Sequence, residues 1–330
     1  MITEERLRQD PDLVTQLTGI PAETFWQLVG QAEKTLPAYD HQRQARPGRK
    51  RAVGGGRPVR LPVVIRLVRL LTYLRQHLSQ TLVAKLCGGT QSDVSRDLRR
   101  LLPLLKPLLP CPAVWHLLEE QRNLTPDEQL VLIELTDGQA LVDATEQQVY
   151  RSQDSETRKA HYSGKKKMFT LKSEIVTDGE HHIQAISDAV PGAKNDKKLS
   201  DETRTVDRLP DGCRGKADKG YQGVSKQVTL VTILNLETGE SQQVPRLIME
   251  TPFKKPKGGE LTEEHKLFNH VLNSIRVRVE HCIGWVKNWR IIATRFRCEH
   301  SIYTAILQIV CGLVNVQTRR WQNAKAQTAT

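Results

Sequence analysis

The chain has no pair of cysteines at C-x-x-C spacing: its six, Cys87, Cys111, Cys213, Cys282, Cys298 and Cys311, are scattered through segments that read as helical or buried. Zinc ribbons and disulfide frameworks need paired or regularly spaced thiols, so neither suits this sequence. No apolar run approaches the ~18–20 residues that span a bilayer. The opening Met1-Ile2-Thr3-Glu4-Glu5 lacks the basic start and apolar stretch of a secretory leader. A reducing, cytoplasmic setting with no membrane partner is expected. No repeat of about 20 to 50 residues recurs, which excludes a solenoid.

Positive charge is what the sequence has in excess. Lysine and arginine number 49 against 37 acidic residues, a net charge of +12 over 330 residues. The excess is clustered, between Arg43 and Arg60 and at Lys165, Lys166 and Lys167. A cation placed on each phosphate of a nucleic acid releases a condensed counterion, so clustering of this kind points to a polyanionic partner. Charge alone leaves a merely soluble basic protein as the alternative. The length suits two or three domains of ~100–200 residues.

Residues 1–36 carry Leu7, Leu13, Leu17, Ile20, Phe25, Leu28 and Val29 at roughly helical spacing, and read as a helical cap. Residues 37–60, rich in Arg, Gly and Pro, are too polar to pack a core and read as a basic linker, with Arg57 a possible DNA contact. Residues 61–112 read as a helix-turn-helix domain. Val63 to His77 forms one helix interrupted by Arg66, Arg69 and Arg75, and Gln80 to Cys87 forms a second. After the Gly88-Gly89 break, Thr90 and Asp93 have the spacing of a capping box for a helix over Gln91 to Leu102. That helix offers Gln91, Ser92, Ser95, Arg96 and Arg99 outward, residue types that reach base edges and phosphates. An ordinary helical hairpin with a charged outer face is the bland alternative, and the basic context favours DNA.

Pro103, Pro107, Pro110 and Pro112 mark a boundary, and residues 113–330 read as the second large domain. A helical stretch over Val114 to Leu135 gives way to strand patterns at Gln139 to Asp143, Met168 to Thr177 and His181 to Val190. A helix is expected over Gly192 to Asp207, a fourth strand over Cys213 to Asp218, and a long amphipathic helix over Thr262 to Trp289. An insert at 223–259 holds a strand pattern near VTLVTILNL, a turn at Glu237 to Glu240, and a basic loop from Pro252 to Gly259.

Phosphodiester cleavage by two metals needs hard oxygen ligands converging on ions ~3.5–4 Å apart. Asp143 at a strand end, Asp218 at another and Glu280 on the long helix can supply them. Their separations, 75 and 62 residues, suit a sheet whose neighbouring strand ends face a helix packed across it, the ribonuclease-H-like arrangement. On a 3.6-residue period Phe268, Leu272, Ile275, Val279, Ile283 and Val286 share an apolar arc, with Arg276, Glu280 and Lys287 along its edge. Arg276 suits holding the Glu280 carboxylate or a phosphate, and Lys287 suits the DNA backbone. Lysines 165 to 167, Lys219 and Tyr221 read as supporting or phosphate-binding residues. Asp188 and Asp196 are rival carboxylates, Asp196 reading as a helix cap, and Thr145 and Glu146 either support Asp143 or continue its strand.

LVDATE, YSGKKKMFTLK, PGAKND, ADKGYQG, PFKKPKGGELT and NSIRVRVEHCIGWVK together resemble bacterial insertion-sequence DDE transposases related to the Harbinger superfamily. GGGRPVRLP followed by a helix-turn-helix is also how such proteins begin, so the resemblance covers most of the chain. It implies an all-α helix-turn-helix domain before a ribonuclease-H-like mixed sheet flanked by helices. It further implies two Mg²⁺ ions (or Mn²⁺) on Asp143, Asp218 and Glu280, and binding of terminal inverted repeats and target DNA. Cleavage at the element ends, strand transfer, and a homodimer or larger assembly near the nucleoid follow from the same resemblance. A catalytically inactive DNA-binding derivative and a ribonuclease-H-like nuclease without strand transfer are the alternatives.

Overall fold

The computed structural model describes residues 1–45, 61–118, 135, 137–234 and 241–329. Its chain divides into two units, one of residues 1–111, 287–294 and 305–320, the other of 112–286, 295–304 and 321–330. The linker between 46 and 60, including Arg57, and the turn at Glu237 to Glu240 lie outside the described residues.

The first unit is helical. Helices α1 (Glu4–Gln9), α2 (Pro11–Thr18) and α3 (Ala22–Gln44) precede α4 (Val63–Gln76), α5 (Gln80–Cys87) and α6 (Gln91–Leu105). Helix α3 runs through Pro37 to Gln44, so residues 37–44, read as the start of the linker, are helical. Every residue of α4 from Val64 to Leu74 is buried. Two of the arginines read as interrupting it, Arg66 and Arg69, are themselves buried, and Arg75 is half-buried. Arg66 and Arg69 both turn inward onto Asp97 of α6, Arg66 at 2.9 Å through Nε, and Arg69 also donates to the Gly88 carbonyl at 3.0 Å. Arg100 and Asp40 join α6 to α3 in the same way. A buried charge is tolerated only when paired and hydrogen-bonded, and the two guanidiniums and one carboxylate meet that condition.

The α5–α6 connection follows the sequence pattern closely. Gly88 and Gly89 both have φ near +89°, where a side chain would be strained, and a Cβ on Gly89 would press on Arg69 Nη1 at 2.8 Å. Thr90 then opens α6 with a complete capping box: its hydroxyl accepts from the Asp93 amide, and the Asp93 carboxylate accepts from the Thr90 amide at 2.8 Å. The helix continues past the expected end at Leu102, with Pro103 inside it.

In the second unit, β1 (Ala113–Trp115) stands where the sequence pattern suggested the start of a helix. It is followed by β2 (Gln139–Gln148), α7 (Ser155–His161), β3 (Tyr162–Ser163), β4 (Met168–Thr177), β5 (Ile183–Ser187) and β6 (Val190–Pro191). Two short helices, α8 (Asp196–Glu202) and α9 (Thr205–Arg208), replace the single one expected, and β7 (Arg214–Ala217) follows. The insert forms a separate hairpin of β8 (Leu230–Leu234) and β9 (Ser241–Pro245), and then β10 (Ile248–Glu250). The loop from 251 to 262 leads to α10 (Glu263–Lys287); the chain then forms α11 (Arg290–Ala293), which belongs to the first unit, and α12 (Tyr303–Ala329), whose residues 305–320 do too. The stretch His300–Arg319 is long and apolar enough to cross a membrane, contrary to the sequence reading, yet 67% of it is buried within the protein.

The main sheet has the order β1-β5-β4-β2-β7-β10, with β3 and β6 also on β4. Strand β2 runs antiparallel to β4 and parallel to β7, and β7 runs parallel to β10. Strand β10 thus lies inside the region read as an insert and yet completes the sheet. One face packs Ala140, Val142, Val176, Ala185, Ala217 and Met249 against Val206, Leu209 and Tyr221. The two-residue alternation sends Asp143 to the other face, where α10 crosses.

Candidate active site

Asp143 sits in the middle of β2 rather than at its end, because the strand continues to Gln148. Its partner across β4 is Ile175, and the adjoining residue Val142 pairs with Ala217 of β7. Asp218 is the next residue after β7, so the register sets the two acids side by side at the edge of parallel pairing. Asp143 Oδ1 accepts from the amide of Ala144 at 2.8 Å, and Asp218 Oδ1 from the amide of Lys219 at 2.6 Å. Lys219 to Tyr221 form a single 3₁₀ turn capped by Asp218.

The Arg276 side chain joins the two acids. Its Nη2 lies 3.3 Å from Asp143 Oδ2, and its Nη1 lies 3.7 Å from Asp218 Oδ1. Arg276 is 3% exposed. The buried face of α10 is formed by Asn269, Leu272, Arg276, Val279, Cys282 and Val286, whereas Phe268, Ile275 and Ile283 are only half-buried. The helix is therefore rotated relative to the expected apolar arc, and Arg276 occupies the inner face instead of its edge. The two carboxylates supply the reason: a buried guanidinium needs acceptors, and these are the acceptors within reach.

Glu280, one turn further along α10, is exposed, and its side chain makes no hydrogen bond or ion pair among the described residues. Arg276 therefore holds Asp143 rather than Glu280. Among the described residues no three His, Cys, Asp or Glu side chains are grouped as a metal site. The structure brings together Asp143, Asp218 and Arg276 and leaves Glu280 outside that cluster. Three like charges within coordination distance repel one another, and here the cation shared by the two aspartates is the guanidinium.

Burial pushes the Asp143 carboxyl up to about 6, against the opposing pull of Arg276 and the Ala144 amide. Asp218 adds to the rise, and Lys165 offsets part of it. Lys165 thus faces the pair electrostatically from the β3–β4 turn, where Lys165, Lys166 and Lys167 are all exposed. Lys219 is exposed beside Asp218, and Lys287, the last residue of α10, is half-buried. Tyr221 is not available to a phosphate: it is 0% exposed, its ring in the core cluster and its hydroxyl beside Glu174. On the first unit, Gln91, Ser92, Arg96 and Arg99 are exposed along α6, and Ser95 is half-buried. Arg96 pairs with Asp93 at 2.6 Å, and the Gln91 side chain with Gln80.

The rival acids are otherwise engaged. Asp188 faces His116 at 2.9 Å, and Asp196 is bound by Lys172 at 2.7 Å. Asn195, not Asp196, caps α8 by accepting from the Lys197 amide. Glu146 continues β2 and accepts from the Thr170 hydroxyl at 2.8 Å. Sequence reasoning missed Glu174, a carboxyl wholly inside the protein. It accepts from the Thr205 hydroxyl, and the Tyr221 and Ser200 hydroxyls favour its charge without reaching ordinary hydrogen-bond geometry. Burial outweighs them and pushes it up to about 7. An acid in a run of β-formers is the only sequence signal for it.

Hard carboxylate oxygens of two neighbouring strands beside a crossing helix are the donor chemistry that suits a hard divalent cation, and the Asp143–Asp218 pair fits that requirement. Residues 142–315 match the family model described as DDE superfamily endonuclease. Over 302 residues the chain is 24% identical to "Probable transposase for insertion sequence element IS702" of Microchaete diplosiphon, covering 92% of this chain and 93% of the other. No solved structure matches the chain.

Proposed function

The chain belongs to the DDE superfamily endonucleases, and from that premise we propose that it is the transposase of an insertion sequence, cutting DNA at the element's ends and joining the freed ends to target DNA. The observation that carries the reading is the approach of Asp143 and Asp218 to one buried arginine. Two carboxylates kept adjacent, one of them largely buried, repel each other, and a site that holds both has a use for their combined charge.

Asp143, Asp218 and Glu280 would hold magnesium, with Glu280 swinging inward from the exposed side of α10. When bound, the metal supplies the positive charge that stabilises the attacking and leaving oxygens of an in-line displacement at phosphorus. The protein's own groups do the rest. Arg276 bridges the two aspartates and offsets part of their negative charge, and the exposed Lys165, Lys166, Lys167 and Lys219 would supply cations for the DNA backbone. Hydrolysis and strand transfer are both displacements at phosphorus, so one site serves them in succession. The ribonuclease-H-like reading is supported by two neighbouring strands that place acids toward a crossing helix.

In the first unit the α5–α6 pair is read as the helix-turn-helix that recognises terminal inverted repeats. The exposed Gln91, Ser92, Arg96 and Arg99 support that reading, since they combine base-reading amide and hydroxyl groups with phosphate-binding cations. Two element ends must be held together for joining, which calls for a homodimer or larger assembly.

The test is a cleavage assay with magnesium on plasmid carrying candidate ends, comparing wild type with Asp218→Ala. Wild type is expected to give joined products, and the variant to bind the ends as tightly while leaving the strands uncut. Cut but never joined DNA would make the protein a nuclease without strand transfer. Binding without cutting by wild type would make it an inactive derivative, and normal cutting by Asp218→Ala would refute the ligand assignment.

A further inference from the structure

The short turn that carries Asp218 rests on a buried ion pair that lies outside the Asp143–Asp218–Arg276 cluster. Lys172 of β4 is 6% exposed, and its ammonium donates to Asp196 Oδ1 at 2.7 Å and to the Lys194 carbonyl at 2.6 Å, with Glu146 Oε1 at 3.7 Å. Asp196 is the first residue of α8, where the Asn195 cap fixes the backbone. Gly220, two residues beyond Asp218, lies directly against the Asp196 carboxylate. A Cβ placed on Gly220 would stand 2.8 Å from Asp196 Oδ2 and 3.3 Å from its Cβ. Such a contact is eased cheaply only when the neighbour is free to swing, and Asp196 is tethered by Lys172.

The far end of the same turn is tied down too. The Tyr221 amide donates to the Asp218 carbonyl at 3.0 Å, and the Tyr221 ring is fully buried with its hydroxyl beside the Glu174 carboxyl. Glu174 is directly opposite Ala144, the residue after Asp143, in the β2–β4 register. The Glu174 carboxyl thus lies beside both the residue after Asp143 on β2 and the Tyr221 end of the Asp218 turn.

We propose that Asp196, held by Lys172, is a positioning residue that seats the Asp218 turn through close contact with Gly220, so that the carboxylate is preset for a divalent cation. This rests on the reading of Asp218 as a metal ligand. Glycine at 220 is required because only a bare Cα lets the turn approach the carboxylate this closely. Groups one layer behind a metal ligand commonly set affinity as strongly as the ligand's own chemistry does.

The experiment uses the full chain and magnesium chloride alone, with binding followed by calorimetry and by the rise in melting temperature as magnesium is added. Gly220→Ala is expected to weaken magnesium binding by about 10- to 100-fold. Asp196→Ala is expected to weaken it as well, and adding Gly220→Ala to that background is expected to cost little more, because the clash has gone. Effects of the two substitutions that simply multiply would overturn the proposal, since residues acting through one contact are not additive. Asp196→Asn keeps the shape and removes the charge that Lys172 grips, and serves if Gly220→Ala does not fold. If it melts lower yet binds magnesium as wild type does, Asp196 is merely structural and the proposal fails. Asp218→Ala separates the two levels: undiminished magnesium binding by that variant refutes the ligand assignment itself, whatever Asp196 does.

Discussion

Replacing Asp143 by asparagine should change how the protein's stability depends on pH. Burial pushes the carboxyl up to about 6 in the folded chain, against the ordinary carboxylate value of 3.8 that applies once it is unfolded. A raised acid is held more tightly by its proton in the folded state, so the folded state is favoured while that proton is present. Stability from this group is then complete below the unfolded value and is lost as pH rises through the folded one. The difference amounts to about 3 kcal/mol between about pH 3.5 and about pH 7. Asparagine has no such proton. The unfolding free energy of Asp143→Asn relative to wild type should therefore climb by about 3 kcal/mol over that interval. Solvent exposure of the Asp143 side chain is 18%, so screening trims this figure without removing it. Urea unfolding of both proteins at a series of pH values, with chelator present, measures it. Two stability curves that run parallel across the interval would show that burial of Asp143 is not what the geometry implies. Magnesium added near neutral pH should narrow the gap, because it binds the folded wild type and pulls the equilibrium toward it.

Asp97→Ala removes the acceptor shared by Arg66 and Arg69 and leaves two buried cations without it. A loss of about 3–5 kcal/mol is expected by denaturant unfolding, and a loss below about 1 kcal/mol would mean that the arginines find other partners. Arg96→Ala and Arg99→Ala, by contrast, should move stability by no more than about 0.5 kcal/mol. Each should flatten the salt dependence of DNA binding by about one unit of slope if its guanidinium sits on a phosphate, and an unchanged slope would place DNA elsewhere.

The sequence was most readable where a local rule decides the outcome. Thr90 and Asp93 are three residues apart, and a capping box is satisfied within those residues, so the start of α6 followed from spacing alone. Helix α5 was likewise read over Gln80 to Cys87, ended by the Gly88-Gly89 break, as the structure has it. The presence of a strand carrying Asp143 was readable from its run of apolar residues, although its continuation to Gln148 was not. Features settled by distant partners were not readable. The rotation of α10 that turns Arg276 inward depends on Asp143 and Asp218, 133 and 58 residues away. Strand β10 has only three residues, and its place is fixed by pairing with β7. Arg66 and Arg69 read only as interruptions of an apolar helix, because nothing in that helix announces Asp97. Tyr221 looked polar and accessible, and only the packed core shows that its ring is internal.

The inward anchoring of α6 at Asp97 divides the labour along that helix. Residues that fix its tilt, Val94, Asp97, Leu98 and Leu101, point one way, and Gln91, Ser92, Arg96 and Arg99 point the other. The outer positions can drift in sequence without loosening the scaffold. A lineage carrying this unit could in that way acquire new contact chemistry by a handful of surface substitutions, with the arginine-gripped carboxylate beneath them unchanged.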